Sequence, residues 1–403
     1  MKTVVVIAVL VAACAMAFRP APVFTLDLAK PPNQRWTGAV ALVLSNCTWE
    51  ESFEGFFRDA NTSVFNHMSS AQQQTVVNKV QTSFPTHYEE LQGLAQEFAA
   101  NGHPEINIHY LSLWVFWHEI YHASELGAFR NPEVAKSCTG VLALPKDKTQ
   151  PIIHGRNLDQ SGWHGRNMTL QVEVINSTDS ATNVLYQAVD VYWFASGFVT
   201  VSAIDRVTMQ ENWRYNDRNP PQTMAEIVHR IGNDPVVPQV LMYRFVLEKV
   251  IANTTGPQAF QDAKQFLLTS TFAAPFYAIM SGAGRQGAVL SIAWNNSLNV
   301  EANIGDHGSE DGKWYMVQTN YDRWQPDPVT DPRRTRAEQA LESLGSEDGA
   351  TRTGVWMVIS EYPVHNRHTF YSLLMEVTRR TRGFIRLRME PDPFFGIAYP
   401  YVA

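Results

Sequence analysis

Ser137-Cys138-Thr139-Gly140 is followed by an apolar run and then by His154-Gly155-Arg156-Asn157-Leu158-Asp159. Two short apolar runs, Val141 to Leu144 and Ile152 to Ile153, flank Pro145-Lys146-Asp147-Lys148-Thr149-Gln150. Short β-prone runs around a polar stretch predict a β-hairpin. Cys138 would begin its first strand, and Arg156 and Asp159 would close its second. The open end of the hairpin then gathers a thiol, a guanidinium and a carboxylate. A thiol needs such company to become a thiolate near neutral or acid pH.

Cys-Thr, then His-Gly-Arg-Asn-Leu-Asp after the hairpin turn, resembles the acid ceramidase and N-acylethanolamine acid amidase family of N-terminal-nucleophile (Ntn) hydrolases. Further stretches resemble it: Val317-Gln318-Thr319-Asn320-Tyr321-Asp322-Arg323-Trp324, Pro363-Val364-His365-Asn366 ahead of Thr369-Phe370-Tyr371, and Leu26-Asp27-Leu28 with Pro31-Pro32 and Arg35-Trp36. The resemblance implies an α+β fold, the αββα sandwich of Ntn hydrolases with an N-terminal, mostly helical α-subunit. It implies a self-processing amidase that cuts fatty-acyl amides, N-acylethanolamines or ceramides, into fatty acid and amine. It calls for no cofactor. Cleavage would fall between Ser137 and Cys138, giving α- and β-subunits from one precursor.

Carried over residue by residue, Cys138 is the nucleophile. Asp159 holds the new α-amine, Arg156 fixes that carboxylate and the substrate carbonyl, Asn320 donates to the oxyanion, and Arg333 lies near the site. A family Glu is matched by Asp205, in Ile204-Asp205-Arg206, one methylene shorter. The chemistry is self-consistent. An α-amine has a reference pKa near 7.7, so it can take the thiol proton and return it to the leaving amine.

Residues 1–17 read as a signal peptide: basic Lys2, an apolar core from Val4 to Val11, and Ala15-Met16-Ala17. That run is too short to span a bilayer as a helix. The boundaries expected are 1–17 leader, 18–137 helical subunit and 138–403 catalytic subunit, in a lysosomal or secreted protein. Asn46, Asn61, Asn167, Asn176, Asn253 and Asn295 head Asn-x-Ser/Thr acceptors for glycans. A hydrophobic content of 45% with 18% charged residues suits a chain with a sizeable core. The formal charge of −7 argues against nucleic acid. The partners expected are a lipid amide and, transiently, a membrane or lipid activator. Of three Cys, Cys14 leaves with the leader, which leaves Cys47 and Cys138. The resemblance implies a disulfide between subunits, but this chain lacks the cysteines for it.

Phe65–Phe84, His87–Ala100 and Ile106–Leu126 carry apolar residues at helical spacing. The last holds a competing motif, His118-Glu119-Ile120-Tyr121-His122, the His-Glu-x-x-His of zinc peptidases. A catalytic zinc needs a third protein ligand, and Glu125 stands where the longer form of the motif has Gly. The competing readings are therefore an Ntn hydrolase of other linear amides, of bile-acid or penicillin type, and a zinc peptidase using His118, Glu119 and His122. The site expected contains no metal. Strands are expected at Thr169–Ile175, Val184–Trp193, Phe198–Ile204, Phe276–Met280, Ala288–Trp294, Trp314–Thr319, Phe370–Val377 and Phe384–Arg388. Helices are expected at Met224–Ile231, Val240–Ile251, Phe260–Leu268 and Ala337–Leu344.

Overall fold

The computed structural model describes residues 18–123, 138–160, 164–214 and 223–386. The expected leader at 1–17, Ser137 of the expected cleavage site and the end of the last expected strand lie outside these residues.

The first part runs through β1 (Phe18–Pro20), β2 (Val23–Asp27), α1 (Ala39–Leu44), α2 (Gly55–Ser63), α3 (Ser70–Ser83), α4 (Pro85–Ala100), α5 (Ile108–Trp114) and α6 (Trp117–Ala123). Then come β3 (Thr139–Ala143), β4 (Ile153–Asp159), α7 (Gly165–Met168), β5 (Leu170–Asn176), β6 (Ser180–Asp190), β7 (Thr200–Ser202) and β8 (Val207–Trp213). After α8 (Met224–Asn233), α9 (Gln239–Phe245) and α10 (Gly256–Thr269) follow β9 (Phe276–Gly282), β10 (Gln286–Ile292), β11 (Val300–Gly305), β12 (Gly308–Ser309) and β13 (Tyr315–Gln318). The chain closes with α11 (Arg333–Ser343), α12 (Arg352–Ser360), β14 (Thr369–Met375) and β15 (Arg382–Arg386).

The helix breaks have local causes. The Ser69 hydroxyl accepts the Gln72 backbone N–H, and the Ser69 backbone N–H donates to the Gln72 carboxamide oxygen, a capping box that starts α3 afresh. The long helix expected from Ile106 begins where Asn107 caps the N–H of Tyr110, and it breaks between α5 and α6.

Two sheets form. One runs β1-β15-β14-β4-β3-β13, the other β12-β11-β10-β9-β8-β7-β6-β5-β2. Side chains alternate across a strand, so β3 serves two faces. Leu142 and Leu144, with Ile152 and Met316, pack on Tyr277, Ile279, Val289 and Ile304 of the larger sheet. Val141 and Ala143, with Ile153, Tyr315 and Val317, pack on Ala337, Leu341, Val355, Val358 and Ile359 of α11 and α12. The outer face of the larger sheet takes α10: a Cβ on Gly282 of β9 would lie 2.5 Å from Phe260 of that helix. The order is thus helix, sheet, sheet, helix, the expected αββα sandwich.

The helical part is not separate from this sandwich. β1 pairs with β15 in one sheet, and β2 runs parallel to β5 in the other. The expectation of a mostly helical start named neither strand. They are short, and their partners come from far along the chain. No helix among the described residues is long and apolar enough to cross a membrane.

Candidate active site

The predicted hairpin forms: Thr139 pairs with Asn157 and Gly140 with Arg156 in β3 and β4. Alternation along β4 then sends its motif residues two ways. His154 reaches across to the larger sheet, its ring nitrogens 2.8 Å from Thr208 Oγ1 and 2.9 Å from Gln210 Oε1 on β8. Burial pushes its pKa down to about 3, so the ring stays neutral. Arg156 points the same way; its Nη1 donates to the Glu211 carbonyl at 2.8 Å and to Asn212 Oδ1 at 2.5 Å. Asn157 turns the other way, donating to the carbonyls of Ile359 and Val364. Gly140 is needed at its position, because a Cβ there would stand 2.6 Å from the Gln210 amide nitrogen.

Arg333, at the start of α11, ties the centre together. Its Nη1 donates to the Cys138 carbonyl at 2.9 Å and to Asp159 Oδ2 at 3.2 Å. Its Nη2 donates to Asn320 Oδ1 at 2.9 Å and to Asp331 Oδ2 at 2.6 Å, while Nε takes Asp331 Oδ1 at 2.7 Å. A rigid five-donor fork suits such a junction better than a lysine. Asn366 adds a bond to Asp159 Oδ2 at 3.2 Å. Asp159 Oδ1 has no hydrogen-bond partner among the described residues, nor do Arg156 Nε and Nη2. Cys138, Arg156, Asp159, Asn320 and Arg333 therefore come together, as the sequence reading requires.

Cys138 is a free, buried cysteine. Burial pushes its thiol up to about 11; the Arg156 charge opposes this, and Glu211 and Asp159 add to it. Its φ of +56° is left-handed. That conformation costs a non-glycine residue on the order of 1–2 kcal/mol. Burial also raises Asp159, against the pull of Arg333. Asn320 spends one amide N–H on the Trp213 carbonyl at 2.9 Å. A carboxamide has a second.

Asp205 is the correction. It lies exposed in the turn between β7 and β8, with φ +56°. Its backbone bonds Val377 and Gly256. Glu211, on β8, sits at the site instead: it is buried, its own carbonyl accepts from Arg156, and its charge acts on Cys138. Burial pushes Glu211 up to about 8. Sequence reading missed it because Gln210-Glu211-Asn212 reads as a polar loop. The signal available was the β-prone Val207-Thr208 directly after a turn. Asp331 and Asn366 were given no role at the site; Asp331 stands two residues before Arg333, and Asn366 closes the Pro363–Asn366 motif.

The His-Glu-x-x-His motif sits on α6. His118 is buried edge-on to Tyr192 and beside Trp213 and Trp117. Glu119 is fully buried, and its Oε1 accepts the backbone N–H of Gln239 at 2.7 Å. The side chain of His122 lies outside the described residues. Among those residues no group of three His, Cys, Asp or Glu could hold a metal ion. Of the glycan acceptors, Asn46, Asn253 and Asn295 are exposed. Asn167 turns its amide nitrogen inward to the Glu51 carbonyl at 2.8 Å.

No family model matches the chain. It is similar to acid ceramidase of Homo sapiens, 28% identical over 274 residues, 66% of this chain and 65% of that protein. It is 28% identical over 275 residues to acid ceramidase of Mus musculus, again 66% and 65%. The chain thus spans about two thirds of the length of these relatives. Among solved structures, a Caenorhabditis elegans N-acylethanolamine-hydrolyzing acid amidase ortholog aligns at TM-score 0.48 and 24% identity, over 60% of this chain and 94% of that one. Penicillin V acylase from Agrobacterium tumefaciens aligns at TM-score 0.37 and 12% identity, over 62% and 84%. By sequence, the chain is similar to the acid ceramidases.

Proposed function

We propose that the protein is a self-processing amidase of fatty-acyl amides, with Cys138 as its nucleophile. The observation that carries the reading is the reach of Arg333, which bonds the Cys138 carbonyl, Asp159 and Asn320 at once. The left-handed backbone at Cys138 supports it, since strain of this kind collects at functional sites.

In maturation the Cys138 thiol attacks the carbonyl of Ser137. The peptide C–N bond breaks, and the acyl group passes to sulfur while the thiol proton passes to the leaving nitrogen. Water then cleaves the thioester, leaving a carboxylate on Ser137 and a free α-amine on Cys138. Asp159 Oδ1, without a hydrogen-bond partner among the described residues, is the acceptor for that amine. In turnover the amine takes the thiol proton as sulfur attacks the substrate amide. Arg156 steadies the carbonyl region, and the second N–H of Asn320 serves the oxyanion, a contribution of about 3 kcal/mol. The leaving amine carries off the proton, and water releases the fatty acid. Glu211 takes the place first given to Asp205, keeping the pocket beside Arg156 polar.

The substrate class, an N-acylethanolamine or ceramide, rests on the similarity to acid ceramidases. With it go a leader at 1–17, subunits 18–137 and 138–403, lysosomal or secreted residence, glycans on exposed acceptors and passing contact with lipid. Mass spectrometry of acid-treated protein should find a new N-terminus at Cys138, and Cys138→Ser should abolish both the cut and hydrolysis. A panel of ceramides, N-acylethanolamines, bile-acid and penicillin amides at acid and neutral pH names the head group. An intact chain with full activity, or chelator-sensitive peptidase activity alone, refutes the proposal.

A further inference from the structure

We propose that Arg214 and Asp322 are positioning residues for Asn320: with Tyr277 they form a buried clamp that aims the carboxamide whose second N–H serves the oxyanion. The inference rests on the reading of Asn320 as that donor and of Cys138 as the nucleophile.

The clamp grows out of β8. Side chains alternate along a strand. Thr208, Gln210 and Asn212 all turn toward the smaller sheet, the first two meeting His154 and the third Arg156. The next residue in that series is Arg214. Its Nε donates to Asp322 Oδ1 at 2.8 Å, and the Tyr277 hydroxyl of β9 donates to the same oxygen at 2.7 Å. All three side chains are buried. Tyr277 stands opposite Asn212 in the ladder, one rung short of Arg214. The guanidinium carbon lies 5.6 Å from the centre of that ring and 5.7 Å from the centre of the Trp324 ring. Burial, helped by the Asp322 charge, raises the pKa of the Tyr277 hydroxyl, so it stays a donor.

Three successive residues at the end of β8 hold the turn that carries Asn320. Asn212 Nδ2 donates to the carbonyls of Gln318 and Thr319 at 3.1 and 3.2 Å. The Trp213 carbonyl takes one Asn320 amide N–H at 2.9 Å. Arg214 takes Asp322. The last two contacts close a ring. Asn320 meets Trp213 through a hydrogen bond, and the chain leads from Trp213 to Arg214. The ion pair leads on to Asp322, and Tyr321 joins Asp322 back to Asn320. On the other side, Arg333 Nη2 holds Asn320 Oδ1 at 2.9 Å. A planar carboxamide gripped at its oxygen and at one N–H has the direction of its second N–H set. An oxyanion donor works by being aimed in advance, so that direction is what the ring protects.

Stability alone is a poor reason for such a pair. A buried ion pair is often no more stable than an apolar pair of similar volume. Asp322 Oδ2 and Arg214 Nη1 have no hydrogen-bond partner among the described residues, so the pair does not saturate its own groups. What distinguishes it is its place, two residues from Asn320 and one from Trp213.

A double-mutant cycle on matured protein tests this. kcat and KM are measured with an N-acylethanolamine or, if it is cut faster, a ceramide. The forms compared are wild type, Asp322→Asn, Asn320→Ala and the double variant. Asn320→Ala removes an oxyanion donor and should lower kcat on the order of a hundredfold. Asp322→Asn leaves Arg214 an oxygen but removes the charge; kcat should fall about tenfold, a part of that loss, with KM unchanged. In the double variant the Asp322→Asn loss should vanish, leaving kcat within about twofold of Asn320→Ala. A residue that only held the fold would lower both backgrounds by the same factor. Equal losses in the two backgrounds, a rise in KM in place of the fall in kcat, or Asp322→Asn at the wild-type rate overturns the inference and leaves Asn320 as the donor. An Asn320→Ala enzyme at the wild-type rate sinks the oxyanion reading, and the clamp with it. If Asp322→Asn fails to fold, Tyr277→Phe enters the same cycle. It deletes one donor to Asp322 and keeps the ring beside Arg214, and its severalfold loss of kcat should vanish in the same way; a loss that persists beside Asn320→Ala overturns the inference.

Discussion

Glu90 offers a sharp test of how the segments before and after Cys138 hold together. It sits fully buried on α4, ringed by donors. Arg244 Nη1 lies 2.5 Å from its Oε2 and Nη2 3.1 Å from its Oε1. Arg35 Nη1, Trp36 Nε1 and Ser196 Oγ add bonds of 2.8, 2.9 and 2.5 Å. Burial opposes ionisation of Glu90, but Arg244 wins and holds it well below the usual carboxylate range. Arg35, Trp36 and Glu90 precede Cys138; Ser196, Arg244 and its second partner Glu248 follow it. A cut before Cys138 would turn this network into a contact between subunits.

Glu90→Gln keeps the shape and removes the charge. Leaving one partner of a buried ion pair uncompensated costs about 3–5 kcal/mol. At roughly 1.4 kcal/mol per tenfold, subunit affinity should fall by on the order of a thousandfold. The assay is size-exclusion chromatography of acid-matured protein, with thermal melting of uncut Cys138→Ser carrying the same change. The mature variant should dissociate at concentrations where wild type does not, and the uncut one should melt several degrees lower. Replacing both partners, as in Glu90→Leu with Arg244→Met, should recover much of the loss, since an apolar pair of similar volume is often as stable. If Glu90→Gln alone leaves association and melting where they were, the network is not the clamp.

Other expectations follow from the same geometry. Arg333→Lys keeps the charge but cannot span Asp331, Asp159 and Asn320 together; kcat should fall by on the order of a hundredfold while KM changes little. Asp205→Asn tolerates the same left-handed turn and should leave turnover at the wild-type rate, whereas Glu211→Gln should not; equal losses would restore the first assignment. With its thiol pushed up to about 11, Cys138 in an uncut chain should be almost wholly protonated at neutral pH. Iodoacetamide should then alkylate it slowly until the chain is cut, and fast labelling of intact protein would contradict the buried geometry.

Much of this molecule was legible in the residues. The β3–β4 hairpin follows from two apolar runs around a polar turn, and that hairpin alone brings Cys138, Arg156 and Asp159 to one end. Asn320 and Arg333 could be named from their motifs, and both reach the same place. What local pattern could not supply was the far partner. β8 looks polar because Gln210, Glu211 and Asn212 are buried for the site, against the usual rule for such side chains. Its neighbours β7 and β9 give it a strand's hydrogen bonds. Periodicity reports which face of an element is apolar; it does not report which element that face meets. So the hairpin, and the place of Cys138 at its end, are properties of the sequence. Glu211 in place of Asp205, the seat of Glu119 and the buried Glu90–Arg244 pair exist only once distant strands and helices have packed, because each depends on charges leaving water together.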